Sequence, residues 1–171
     1  MFEGQVLDAV DLRVLAVLQR NARSTYAEIA EAVGLKPPAI HDRVKRLEQR
    51  GVLRGYGALL DTRRLGLGLT AFVSVYTTPE VSYDAFCAAV ADLAEVCEVH
   101  SVAGEEAFIL KVATRSTDHL DEFLSRLKLV VGIARTKTTI VLSTPFQRDG
   151  VALEALVDQT KPARLRAIGG E

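Results

Sequence analysis

A chain of 171 residues with 21 Lys/Arg, 22 Asp/Glu and a formal net charge of -1 has room for one or two small domains, and is too neutral for a protein that coats nucleic acid nonspecifically. Its 49% hydrophobic and 25% charged content is that of an ordinary folded protein, and no run of about 18 apolar residues is present to span a membrane. Two cysteines, Cys87 and Cys97, are too few for a disulfide framework and are expected in a reducing cytosol; MFEGQVLDAV has no basic n-region and no apolar h-region, so no secretion signal is expected.

In chain order, Asp8 is expected to cap a first helix, with Leu7 and Leu12 as a hydrophobic staple and Val14, Leu15 and Leu18 as its buried face, ending near Asn21. Thr25-Tyr26-Ala27-Glu28 fits a capping box, and Tyr26, Ile29, Ala30 and Val33 then recur at i, i+3, i+4, i+7. Gly34 stops that helix. Pro37 and Pro38 suit the first turn of a third helix, whose apolar side is Ile40, Val44 and Leu47 and whose stop is Gly51. His41, Asp42, Lys45, Arg46, Gln49 and Arg50 fall outside that stripe, with Arg43 on its flank. Residues 36–54 hold six Lys/Arg against two Asp/Glu. A solvated helix face is the commoner reading of such charge alone, but the glycine turn, the two short helices and a following strand select a helix-turn-helix with a DNA-reading third helix. Val52–Leu60 is expected to form a strand or short hairpin, the wing of a winged helix; Arg54 there is either a phosphate contact or merely exposed.

Two glycines and two arginines mark residues 61–68 as a connector between a DNA-binding domain at 1–60 and a second domain at 69–145. From 62 to 144 the balance turns to eight Lys/Arg against ten Asp/Glu, which disfavours a second DNA surface. The pattern reads β-α-β-β-α-β. Strands are expected at 70–77, 96–103, 107–113 and 134–144. One helix is capped by Ser82 and carries Phe86, Val90 and Leu93; the other opens at Ser116 or Thr117 and carries Leu120, Phe123, Leu124 and Leu127. The fold class is therefore α+β, a winged helix-turn-helix followed by a ferredoxin-like βαββαβ sandwich. Its helix-free sheet face, expected to hold Val73, Val75 and Ile140, is too apolar to stay wet and implies a second subunit. A tail at 146–171 carries a short helix with Val151, Leu153, Leu156 and Val157, expected to dock on the sheet domain or a neighbouring dimer.

Competing site readings are weak. Gly66–Ala71 fits GxGxxA, but a strand follows it where a dinucleotide site needs a helix. Cys97 and His100 would point to opposite faces of a strand, so no metal site is expected. His100 and His119 read as structural or solvated. No Ser/His/Asp or Cys/His grouping has a scaffold, so no enzyme and no cofactor is expected.

The order and separation of RVKRLEQRGVLRGY, GVLRGYGALLD and SVAGEEAFILKV within residues 7–144 resemble the Lrp/AsnC (feast/famine) transcription regulators. The resemblance implies binding to double-stranded DNA, a dimer through the sheets, assembly into octamers, and an amino-acid effector between dimers. It makes the helix from Pro37 to Arg50 the DNA element, with Pro38, Ala39, His41 and Asp42 near its leading end and Arg43, Lys45 and Arg46 at phosphate or flanking contacts; Lys36 before it and Arg54 after it are further candidates for phosphate. The effector loop would be Ser101–Ala107, with Ser101, Ala103, Gly104, Glu105, Glu106 and Ala107 as contacts and Thr136 and Thr138 as neighbours. Two positions depart from the family. Lys36 stands where a serine usually caps the reading helix, and Ala107 stands where an aspartate often shapes the effector pocket. Glu105 or Glu106 either takes over ammonium binding or is a solvated hairpin pair. The expected function is an amino-acid-responsive transcriptional regulator; the alternative is a chromatin-like DNA organiser without an effector.

Overall fold

The computed structural model describes residues 7–148, 150–153, 156 and 157, which divide into two compact units: one of the described residues up to Ala58 together with those from Phe146 onward, and one of Leu59–Pro145. In the first unit, α1 (Ala9–Arg20), α2 (Tyr26–Val33) and α3 (Pro37–Gln49) surround a core of Val14, Leu15, Leu18, Ile29, Ala30, Val33, Ile40, Val44 and Leu47. Each boundary has a local cause. Asp8 and Asp11 form a capping box at the start of α1, and Thr25 and Glu28 form another at the start of α2. Gly34 ends α2 in the left-handed conformation, at φ 74°, that a side chain resists. Tyr26 leaves the expected stripe: it is 42% exposed and its ring meets His41 edge-on at 5.4 Å.

The second unit is a four-stranded antiparallel sheet in the order β2-β3-β1-β4, built from β1 (Leu69–Thr77), β2 (Val96–Ser101), β3 (Phe108–Thr114) and β4 (Ile133–Ile140). Two helices, α4 (Tyr83–Ala91) and α5 (Thr117–Leu127), capped by Ser82 and Ser116, close its core. Phe86 and Val90 of α4 and Leu120, Phe123 and Leu127 of α5 bury Ala71, Val73, Val75, Leu110 and Val112 of the sheet. Alternation along β1 then fixes the opposite face as Phe72, Ser74 and Tyr76.

Three expectations are corrected. Val73 and Val75 lie against the helices with no exposure, so the opposite face is not the apolar sheet anticipated; beside Phe72 and Tyr76 it carries Lys111, Arg135 and Lys137 by register. The wing strand does not form. After α3, Val52 and Leu53 both donate to the Leu47 carbonyl, and residues 54–60 hold no ladder, since no neighbouring strand meets their backbone. The tail does not belong with the sheet: Leu153 packs against the helical core and Gly150 sits tightly on the Gln19 side chain. Of the expected tail helix, Asp149, Glu154, Ala155 and the residues from 158 onward lie outside the described residues.

Candidate nucleic-acid interface and effector face

α3 is positioned from below by Ile40, Val44 and Leu47, each essentially without exposure. That packing turns Pro37, Pro38, Ala39, His41, Asp42, Lys45 and Arg46 outward, together with Lys36 before the helix and Arg54 after it. Lys36 occupies the N-cap without a side-chain cap, and the first turn contains no acid. Pro37 and Pro38 carry no N–H and Ala39 N–H donates to the Lys36 carbonyl at 3.0 Å, so what an anion meets there is the positive helix end and a lysine. The Arg46 guanidinium lies back along its own helix, Nε donating to the Asp42 carbonyl at 3.4 Å, while His41 Nδ1 is 3.3 Å from Asp42 Oδ1.

Arg43 is engaged within the helical unit. Its Nη1 donates to Asp8 Oδ2 at 2.7 Å and to Asp11 Oδ1 at 2.6 Å, leaving its side chain 21% exposed. The Asp8 bond raises the guanidinium pKa against the opposing effect of burial. Two carboxylates thus hold the guanidinium through Nη1, and Arg43 ties α3 to α1. Nothing in local spacing marks this, because Asp8 is 35 residues away. A second unanticipated brace is Tyr56, whose hydroxyl donates to Glu48 Oε1 at 2.9 Å; burial and that carboxylate push its phenol up to about 12.

In the sandwich, Val102–Ala107 is an irregular loop between β2 and β3. Ser101, Ala103, Gly104 and Glu105 are exposed, whereas Glu106 and Ala107 are half-buried. Ala107 contributes no polar side chain; its N–H donates to the Val75 carbonyl at 2.9 Å. Glu106 reaches Ser74 Oγ at 3.5 Å, on the helix-free face. Thr136 and Thr138 pair with Val75 and Val73 and so alternate to the helix side, away from Glu106. The β4 residues on Glu106's face are Arg135 and Lys137, partners of Tyr76 and Ser74, and the Arg135 guanidinium stacks 3.9 Å above the Tyr76 ring. An acid, a hydroxyl, an aromatic ring and two cations thus share one end of one face. Strand alternation, applied with the correct inward set, identifies them. Among the described residues no group of three or more His, Cys, Asp or Glu is arranged to hold a metal ion, and no helix is long and apolar enough to cross a membrane.

A basic reading helix on a trihelical unit, followed by a ferredoxin-like unit, defines a one-chain DNA-binding regulator. Residues 7–54 match the winged helix-turn-helix DNA-binding family and residues 70–151 the Lrp/AsnC ligand binding domain. The chain is 35% identical over 141 residues to the HTH-type transcriptional regulator LrpA of Mycobacterium tuberculosis, covering 82% of this chain and 93% of that protein. It is 31% identical over 147 residues to the regulatory protein AsnC of Escherichia coli, covering 85% and 97%. A solved transcriptional regulator from Neisseria meningitidis, in complex with L-Met, superposes with a TM-score of 0.81 at 31% identity, over 88% of this chain and 99% of that one. The chain belongs to the Lrp/AsnC family and is a DNA-binding transcriptional regulator.

Proposed function

We propose that the chain acts as a homo-oligomer, each pair of protomers laying two α3 helices into successive major grooves of a pseudo-palindromic operator. Pro38, Ala39, His41 and Asp42 face base edges, while Lys36, Lys45, Arg46 and Arg54 meet phosphates. The carrying observation is the outward set of α3 side chains, held rigid by Ile40, Val44 and Leu47 beneath and by Arg43 at its flank. Self-association is supported by Leu59, Leu60, Leu129 and Val131, apolar side chains from 68% to 89% exposed, and by Phe72 on the helix-free face. Titrating the protein against its own promoter region at moderate salt should give a shift below about micromolar protein, as specific complexes do. No shift under those conditions overturns the reading.

For the effector we propose an α-amino acid. Glu106 suits its ammonium, and Arg135 or Lys137 its carboxylate, on the face where Ser101, Ala103, Gly104 and Glu105 border the loop. The L-Met complex of the Neisseria relative supports this class. A melt across the twenty amino acids tests it: a ligand at one hundred times its dissociation constant should add about 2.7 kcal/mol. Ala107 favours a second reading, an effector-independent DNA organiser, because the loop residue nearest β1 offers no polar group. Silence across the whole panel selects that reading.

A further inference from the structure

We propose that a cleft of the helical unit, between the α1–α2 turn and the last turns of α3, binds a small organic ammonium ion: a primary amine on a short apolar chain. The cleft measures about 470 Å³, within the range of small-molecule sites. Leu18 and Ala22 give it an apolar side, Tyr26 and Tyr56 supply two rings, and Glu48 is the one charged residue in its lining. Both rings are turned to solvent, 42% and 51% exposed, rather than spent in the core. Tyr56 donates its hydroxyl to Glu48 Oε1 at 2.9 Å, which fixes the carboxylate beside the rings and keeps the phenol neutral at ordinary pH. A lone carboxylate next to two aromatic rings suits a cation. Ser24 and Thr25 add hydroxyl oxygens that accept from N–H, which selects a primary ammonium over a quaternary one. The cations of α3 do not fill this role. Arg43 is held by Asp8 and Asp11, and Lys45, Arg46 and Arg50 lie outside the lining. The cleft also backs onto the reading surface. The Tyr26 ring meets His41 edge-on at 5.4 Å, and Glu48 follows His41 by seven residues, two turns along the same side of α3. An amine seated there touches the ring that props His41, so the helical unit holds a ligand site apart from the effector face of the sandwich.

Fluorine NMR on full-length protein carrying 3-fluorotyrosine tests the site, with n-butylammonium as the probe at constant ionic strength. The 4 tyrosines give one signal each, assigned by replacing each in turn with phenylalanine. Tyr26 and Tyr56 should shift together and saturate with one dissociation constant, while Tyr83 at the start of α4 stays still. n-Butanol, which has the same shape without the charge, should give no saturable shift. Glu48→Gln keeps the shape and an acceptor for Tyr56 but removes the charge, and should weaken amine binding about tenfold. No saturable shift at Tyr26 and Tyr56, an equal response to n-butanol, or unchanged affinity in Glu48→Gln overturns the proposal.

Discussion

Arg43 in the helical unit and Glu95 in the sandwich are both charged side chains held by two partners, but one cluster is saturated and the other is not. In the helical unit, Asp8 and Asp11 each spend one carboxylate oxygen on the other's backbone N–H, at 2.7 and 3.3 Å, and the remaining two oxygens both accept from Arg43. The capping box of α1 and the anchor of α3 are thus built from the same two carboxylates, two oxygens each. In the sandwich, Glu95 Oε1 accepts from both His119 Nε2 and Arg126 Nη2, while Oε2 is buried without a partner among the described residues. His119 Nδ1 accepts the Arg115 N–H, which places the ring proton on Nε2, facing Glu95. A saturated cluster fixes geometry, and deleting Arg43 strands the largely buried Asp11 carboxylate. An unsaturated one already carries an uncompensated oxygen, so its loss should cost less.

The strongest way to break this contrast is Arg43→Ala. It leaves Asp11, whose side chain is 11% exposed, without its cation, and should destabilise the helical unit by about 2–4 kcal/mol in denaturant unfolding. Because Arg43 is committed to carboxylates, the salt dependence of DNA affinity should keep its slope. Arg46→Ala should do the reverse. Its stability cost should stay within about 0.5 kcal/mol, while binding weakens across all sequences and the slope flattens by about one charge. Equal slopes for the two variants would return Arg43 to the phosphate backbone.

Glu95→Gln comes next, with about 1–2 kcal/mol expected in the sandwich unit, offset in part because a neutral amide is easier to bury. Its clearer signature is pH. Burial raises the Glu95 pKa, but hydrogen bonds from Arg126, its own backbone and His119 outweigh that and leave it below the ordinary carboxylate value. The folded state then binds fewer protons than the unfolded chain, so this stabilisation is complete above the ordinary range and lost as pH falls through the lowered value. Sandwich unfolding followed from pH 6 downward should steepen below about pH 5, and Glu95→Gln should flatten that limb. Glu98, lowered by Lys111 and His100, keeps part of it. An identical acid limb in the variant would show that Glu95 is not the titrating group.

Local signals were legible wherever one segment sufficed. Asp8, Thr25, Ser82 and Ser116 cap the helices that their spacing announces, and Gly34 turns where a left-handed residue is needed. The βαββαβ order follows from the same periodicities. What failed depended on partners distant in sequence. Val73 and Val75 read as one apolar row, but which sheet face they join depends on where α4 and α5 pack, and that choice moved Thr136 and Thr138 away from Glu106 while bringing Arg135 and Lys137 toward it. VLRGYGALL has strand composition, yet composition cannot provide the ladder partner a strand needs. Arg43 lay on the flank of its stripe, and only the 35-residue return to Asp8 reveals its work.

The smallest effect concerns Lys36, where cap chemistry and DNA chemistry pull apart. The N-cap of α3 has extended geometry, φ -93° and ψ 147°, but a lysine cannot accept from the first-turn N–H groups. Lys36→Ser restores an acceptor in a backbone already shaped for it and should stabilise the helical unit by about 0.5–1 kcal/mol. The same change removes a cation from the positive end of the reading helix, where it adds to the field that a phosphate meets. Operator affinity should therefore fall although the protein becomes more stable, and the salt slope should drop by about one charge. If affinity rises with stability instead, Lys36 does not meet the DNA backbone, and the positive end of α3 acts there without it.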